Sequence, residues 1–287
     1  MKTTIGALKS AIKKALKAAH TDSCAISVKD GSLKIMGSSF EGCVMVNVPS
    51  EGMVADCSAT INSKQVGAIL GSVSDSTSCT IKALESTGLS LSFAGARIKL
   101  VSPFKGDVED MFDQPQVTGT RRMVFETTGS EIAVLLSGPL SYAARSDVRT
   151  YLVSVYAQAD HGILRLTGTD GHKLCTCTSE IATSADMEDC ILPLSVAEAV
   201  HTVFEADERF TVEQLGESTI MRLLLTSSRT QWLVTLIAGK YPEWKRVMPE
   251  PIQVAQITLG REALAAAVNR VLAASGNVCA VLIFSDK

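Results

Sequence analysis

A unit of one amphipathic helix followed by short strands begins near the N-terminus, again in the middle of the chain, and a third time near its end. In the first copy Ile5, Leu8, Ile12, Leu16 and Ala19 recur at the spacing of one helix face, with small alanines between them. Alternating runs then predict strands at 25–28, 33–35 and 44–48, joined by turns such as Asp30-Gly31. A second helix is expected over about 62–73, capped by Asn62 or Ser63, with strands near 79–84, 89–93 and 97–101. The Asp-, Gly- and Pro-rich stretch 103–116 reads as a connection. The order then recurs: a helix over 130–144, a strand at 151–158, a turn at Asp160-His161-Gly162 and a strand at 163–166. Thr258-Leu259-Gly260 leads into a third periodic helix, 261–274, and a strand at 279–284. With helix starts at Thr4, Gly129 and Gly260, successive copies lie 125 and 131 residues apart, the signature of one supersecondary unit used repeatedly.

Helices and strands alternate here without the spacing of parallel βαβ units, so the expected class is α+β, with paired helices packed on antiparallel sheets. The expected organisation is a first domain over 1–105, a linker over 106–122, a second domain over 123–250 and the start of an incomplete third over 251–287. Those last 37 residues are too few to bury their own apolar faces, so the rest of that core is expected from elsewhere.

Several function classes are set aside by what the chain does not carry. No stretch approaches the roughly 18 uninterrupted apolar residues of a membrane-spanning helix, and the N-terminus has no secretory pattern, so a cytosolic location without a membrane partner is expected. The eight cysteines (Cys24, Cys43, Cys57, Cys79, Cys175, Cys177, Cys190 and Cys279) form no CxxC pair, and Cys175 and Cys177 have the spacing of one strand face, where shared packing is the simpler reading. No cofactor or metal is expected. Asp170-Gly171-His172 beside Cys175 is a thin basis for an enzyme, since GxxxxGK[ST], HExxH and GxSxG patterns are all absent. A formal net charge of −3 argues against a protein coated in nucleic acid, so any such contact must be local. Lys9, Lys13 and Lys17, with Lys14, supply one local basic face, and no acidic residue precedes Asp22. Alone, that face reads as solvated lysines or as a cationic membrane-surface helix lacking a Trp or Phe anchor.

Two segments are more specific. Asp147-Val148-Arg149-Thr150-Tyr151-Leu152, followed by 164–174 (Leu-Arg-Leu-Thr-Gly-Thr-Asp-Gly-His-Lys-Leu), and the later run Gly239-Lys240-Tyr241-Pro242-Glu243-Trp244-Lys245-Arg246-Val247-Met248-Pro249, together resemble the central domain of bacterial DNA sliding clamps, the DNA polymerase III beta subunits. Residues 1–105 agree with that family in pattern and length. The resemblance implies the DNA clamp fold, in which repeated domains of two helices and antiparallel sheets close a ring with helices lining the hole. It implies a non-catalytic processivity factor whose partners are double-stranded DNA, the replicative polymerase, the clamp loader and other proteins with clamp-binding peptides, self-associating into a ring. A closed ring needs only weak, sequence-blind phosphate contact.

Matched position by position, the resemblance assigns a peptide-binding cleft to Leu152, Thr169, Gly171, His172, Lys173, Leu174, Pro242, Arg246 and Val247, where apolar groups form a slot and polar ones orient a peptide. It assigns DNA-facing roles to Lys9, Lys13, Lys14, Lys17, Lys64, Arg149 and Tyr151, with Arg145, Arg261 and Arg270 adding to the inner potential and Glu131, Glu198 and Glu205 reducing it. Lys173 stands where many relatives carry arginine, keeping the charge without the planar donor fork. The alternatives are a protein-interaction module that does not engage DNA, or a membrane-surface protein using the N-terminal helix.

Overall fold

The computed structural model describes residues 1–84, 88–101, 120–160, 162–179, 181–183, 187–216, 221–248 and 258–274. The chain divides into two compact units, Met1–Tyr241 and Pro242–Lys287. In the first unit, one copy of the repeat runs β1 (Lys2–Thr4), α1 (Ile5–Ala18), β2 (Ser23–Lys29), β3 (Ser32–Ser39), β4 (Gly42–Val48), β5 (Cys57–Asn62), α2 (Ser63–Leu70), β6 (Ser78–Ala83), β7 (Gly88–Phe93) and β8 (Ala96–Val101). The next runs β9 (Thr120–Thr128), α3 (Gly129–Tyr142), β10 (Ser154–Asp160), β11 (Ile163–Thr169), β12 (Leu174–Ser179), β13 (Met187–Pro193), α4 (Leu194–Val203), β14 (Arg209–Gly216), β15 (Met221–Ser227) and β16 (Thr230–Thr235). The second unit contains a 3-10 turn over Trp244–Val247 and α5 (Arg261–Ala274).

The two copies share one wiring. Each starts with a strand and helix, adds four strands, a second helix, and three more strands. In the first copy the strands pair in the orders β5-β2-β3-β4 and β1-β6-β7-β8; in the second, β13-β10-β11-β12 and β9-β14-β15-β16. Every pairing is antiparallel. The copies are zipped together where β4 pairs with β16, in register Val44↔Trp232 and Val46↔Thr230, producing one eight-stranded sheet. Gly42 (φ +145°) is required at that seam, because a Cβ there would sit 2.0 Å from the Leu233 carbonyl oxygen.

Helices form where an apolar stripe has a sheet to cover. Ile5, Leu8, Ile12 and Ala15 of α1 are buried, and the Thr4 side chain caps its start by accepting from the Ala7 N–H. Asn62 with Gln65, and Thr128 with Glu131, form capping boxes on α2 and α3. Phe204, Phe210 and Trp232 stack in the core, with 4.0 Å between the first two ring centroids.

The expected α+β class with helices on antiparallel sheets is what the fold shows. Helix starts at Ile5, Gly129 and Arg261 reproduce the repeat spacing read from the sequence. Three expectations need correction. Residues 151–152 belong to a 3-10 turn, Thr150–Leu152, which points Leu152 inward, and the strand begins only at Ser154. The linker does not extend to 122, since Thr120–Arg122 already pair with β14. Helix α4, the second helix that a two-helix domain requires, was not placed in the sequence. The strand at 279–284, the linker before 120, and His161 in the expected turn lie outside the described residues.

Candidate functional site

Two surfaces of the first unit gather the predicted residues. The first is a groove of about 860 Å³ beside α1 and α4, lined by Lys9, Lys13, Lys17, Arg145 and His201, by the acidic Asp22 and Glu198, and by Ile12, Leu16, Val66 and Leu140. The helix period that buries Ile12 is what turns Lys9, Lys13 and Lys17 outward together. The Lys9 ammonium donates to the Val73 carbonyl at 2.6 Å and pairs with Asp75 at 2.9 Å. Arg145 is paired with Glu198. Lys13 and Lys17 make no ion pair among the described residues, which leaves them as the groove's available cations. Lys64 is exposed on α2, next to Ser63 of the groove. In a wet, open groove such charges attract phosphates without reading sequence.

Lys14 does not belong to that surface. It is 8% exposed and turned into the junction of the two repeat copies, where its ammonium lies 3.0 Å from Glu208 and 3.5 Å from Glu205. Burial alone would raise the Glu208 carboxyl, but bonds from the Ser227 hydroxyl, the Glu205 N–H and Lys14 outweigh it and hold the group below its usual value. Arg149 and Tyr151 are likewise not among the groove's lining residues. Arg149 is held by Asp147 in a two-point contact at 2.9 and 2.8 Å, and those bonds bring the Asp147 carboxyl down to about 2.

The second surface is built on the turn from β11 to β12. Thr169 Oγ1 donates to the Lys173 carbonyl at 2.7 Å and accepts from the Gly171 N–H at 3.1 Å. Asp170 Oδ1 accepts from the N–H groups of His172 and Lys173, both at 2.9 Å, and these bonds, Lys173 first, hold its carboxyl low. Gly171 takes φ +89°, and a Cβ placed there would be 3.5 Å from the Arg149 guanidinium and 3.9 Å from Leu152. The Lys173 ammonium lies 5.4 Å over the Tyr142 ring. Thr169, Gly171, Lys173 and Leu174 thus lie on this turn and its flanking strand ends, with His172 exposed on it and Leu152, from the 3-10 turn, beside Gly171. Pro242, Arg246 and Val247 lie in the second unit, all exposed, on or beside its 3-10 turn, with Arg246 paired to Glu243.

Sequence reasoning missed Tyr142, Tyr156 and Tyr241 near this surface. Tyr241 stacks on Tyr156 with ring centroids 4.4 Å apart, and burial pushes the Tyr241 hydroxyl up to about 12. Tyr142 and Tyr156 stand outside the quoted motifs; Tyr241 stands in the 239–249 run, but nothing in that run ties it to Tyr156.

Residues 140–243 match the family model of the DNA polymerase III beta subunit, central domain. The beta sliding clamp of Vibrio cholerae is 23% identical over 228 residues, which are 78% of this chain and 59% of that protein. That of Escherichia coli K12 is 30% identical over 112 residues, 37% of this chain and 28% of the relative. The chain therefore spans little more than half the length of the curated relatives it matches. The beta subunit of Thermotoga maritima DNA polymerase III superposes with a TM-score of 0.75 at 19% identity, covering 95% of this chain and 73% of that one. The Helicobacter pylori beta clamp, solved with 3,4-difluorobenzamide, gives 0.77 at 15% identity over 95% and 74%. A Pseudomonas aeruginosa sliding clamp bound to griselimycin gives 0.75 at 20% identity over 94% and 73%. Residues 140–243 are thus similar to the central domain of the DNA polymerase III beta subunit, and the chain shares the fold of the solved beta clamps.

Proposed function

We propose that the protein is a DNA sliding clamp, a non-catalytic cytoplasmic processivity factor that encircles duplex DNA, tethers the replicative polymerase, and docks partner peptides at the β11–β12 turn. The observation that carries this reading is the pair of open sheet edges. Strand β12 is the counterpart of β4, and β8 is the counterpart of β16; β4 and β16 are the edges that join the two repeat copies. Among the described residues β8 and β12 have no partner on their outer side, so each end of the array offers the same edge type that already zips its middle. Unprotected edges of this kind favour strand addition. Heterologous edge-to-edge addition closes rings when the rotation per step permits. The two copies, the first over 1–105 and the second from Thr120 at the start of β9 to about 250, would be the first two domains, and 251–287 would begin a third.

Lys13 and Lys17 in the groove, with Lys9 and Lys64 nearby, supply weak phosphate attraction suited to sliding. The Gly171–Leu174 turn with Leu152 supplies peptide-docking chemistry in the first unit, and Pro242, Arg246 and Val247 are candidates of the same kind in the second. The test is loading onto nicked circular plasmid by a clamp loader, followed by gel filtration. Retention on the circle and release when the plasmid is linearised are expected; equal behaviour on circular and linear DNA would sink the proposal. The same measurement separates it from a protein-interaction module that does not engage DNA.

A further inference from the structure

Cys175 and Cys177 lie two residues apart on β12, so both side chains leave the same face of the strand, the face against α3. Their sulfurs are 3.9 Å apart and both residues are half-buried. Opposite them stands Gly138 of α3, and a Cβ there would lie 2.8 Å from Cys175 Sγ and 2.9 Å from Cys177 Sγ. The helix thus leaves out one methyl group where both thiols converge. Two observations therefore point to one place: a preformed dithiol, and a cradle that any side chain would fill.

The spacing discriminates among dithiol chemistries. Residues i and i+2 of a strand have Cα atoms about 6.6 Å apart, the upper end of the range a disulfide bridges, and the sulfurs would have to close from 3.9 Å to about 2.05 Å. A metal with M–S bonds of about 2.3 Å spans 3.9 Å at an S–M–S angle of roughly 115°, close to trigonal, with no movement of the strand. Among the described residues no group of three or more His, Cys, Asp and Glu side chains could complete a four-ligand zinc site. Two thiolates with no other protein ligand suit a soft, low-coordinate ion.

We propose that Cys175 and Cys177 form a copper(I)-class dithiolate site, with an exogenous thiol such as glutathione in the third position. On binding, copper(I) passes from its carrier, breaking the bonds to all but one carrier thiolate, which remains as the third ligand; both protein thiol protons leave to solvent, two protein sulfur–metal bonds form and no electron is transferred. The site is independent of the ring proposal, since it needs only the first unit.

The test is anaerobic copper(I) titration of the full chain in competition with bicinchoninate. One equivalent should be withdrawn from the chelator, with a Cu–S distance near 2.3 Å by X-ray absorption. Cys175→Ser and Cys177→Ser should each weaken binding at least a hundredfold, while Cys43→Ser and Cys57→Ser leave it unchanged. Gly138→Ala, which keeps both thiols, should weaken it at least tenfold. Because two protons are displaced, affinity should fall up to about a hundredfold per pH unit on acidification. Wild-type affinity in the Cys175→Ser/Cys177→Ser double variant, or in Gly138→Ala with a native melting curve, overturns the proposal. If Gly138→Ala does not fold, the single serine variants, which exchange one atom each, decide it.

Discussion

At the residue scale, what a side chain does here depends on what the fold sets opposite it. Gly171 has open space around its missing Cβ, with the nearest atom at 3.5 Å, yet its φ of +89° is a conformation L side chains resist. Gly171→Ala should therefore cost roughly 1–2 kcal/mol without any steric clash, read as a lower midpoint in urea. It should also weaken a clamp-binding peptide severalfold by fluorescence polarisation, because the Thr169 and Asp170 hydrogen bonds hold the turn in that one conformation. An unchanged midpoint and affinity would remove the turn from the site. The importance of Asp170-Gly171 was legible in the sequence, since few residues favour such a turn. The role of Lys14 was not. In the sequence it is one of four lysines on a helix, and its burial follows from Glu208, 194 residues away. The two-point contact of Arg149 with Asp147 was not legible either, although the two residues are neighbours in the chain.

Elements were legible where their signals are local. The Asn62 cap of α2 was read from the sequence and is formed, with Gln65 completing its capping box, while the equivalent Thr128–Glu131 box of α3 was seen only in the structure. In α3 the Thr128 hydroxyl accepts from the Glu131 N–H at 3.3 Å, while Glu131 accepts from the Thr128 N–H at 2.9 Å. Glu131 is thus engaged in capping the start of its own helix. Thr128→Ala should destabilise the protein by about 1 kcal/mol, while Thr128→Ser should cost much less; equal melting of the two variants would show the cap to be idle. Helix α4 escaped notice for the opposite reason. Pro193 offers no capping side chain to mark its start, although Ser195, Glu198, His201 and Thr202 do recur at helical spacing opposite the buried Leu194, Val196, Ala197, Ala199, Val200 and Val203. The false strand start at 151 has a related cause. Tyr151-Leu152-Val153 is a β-prone run, but the Leu152 and Val153 N–H groups bond back to Arg149 and Thr150, closing a 3-10 turn.

At the scale of the molecule, the repeat was visible in helix spacing, but the way its copies join was not, because edge pairing between β4 and β16 leaves no periodic trace. Behind that seam, Lys14 of α1 reaches Glu208 before β14, and Ser195 of α4 donates to Glu41 before β4 at 2.7 Å. The Lys14–Glu208 pair has side-chain exposures of 10% and 15%, so losing one partner leaves the other largely desolvated. Lys14→Met and Glu208→Gln should each destabilise by roughly 2–3 kcal/mol, somewhat below the range for wholly buried pairs because Glu205 lies within reach and partly in water. The double variant should cost less than the sum of the two, since a neutral amide can still accept from the Glu205 N–H, with its NH2 turned to the Ser227 hydroxyl oxygen, without stranding a charge. The pH dependence has a definite sign. Glu208 is held below its ordinary value, so its contribution is present above the unfolded carboxylate range near 4.3 and is lost as pH falls through the lower folded value. Lys14→Met should flatten stability against pH in that acid window while leaving the slope above pH 6 unchanged. Urea midpoints from pH 2.5 to 7 measure this, and strictly additive variants with an unaltered acid limb would show that the pair does not couple the repeats.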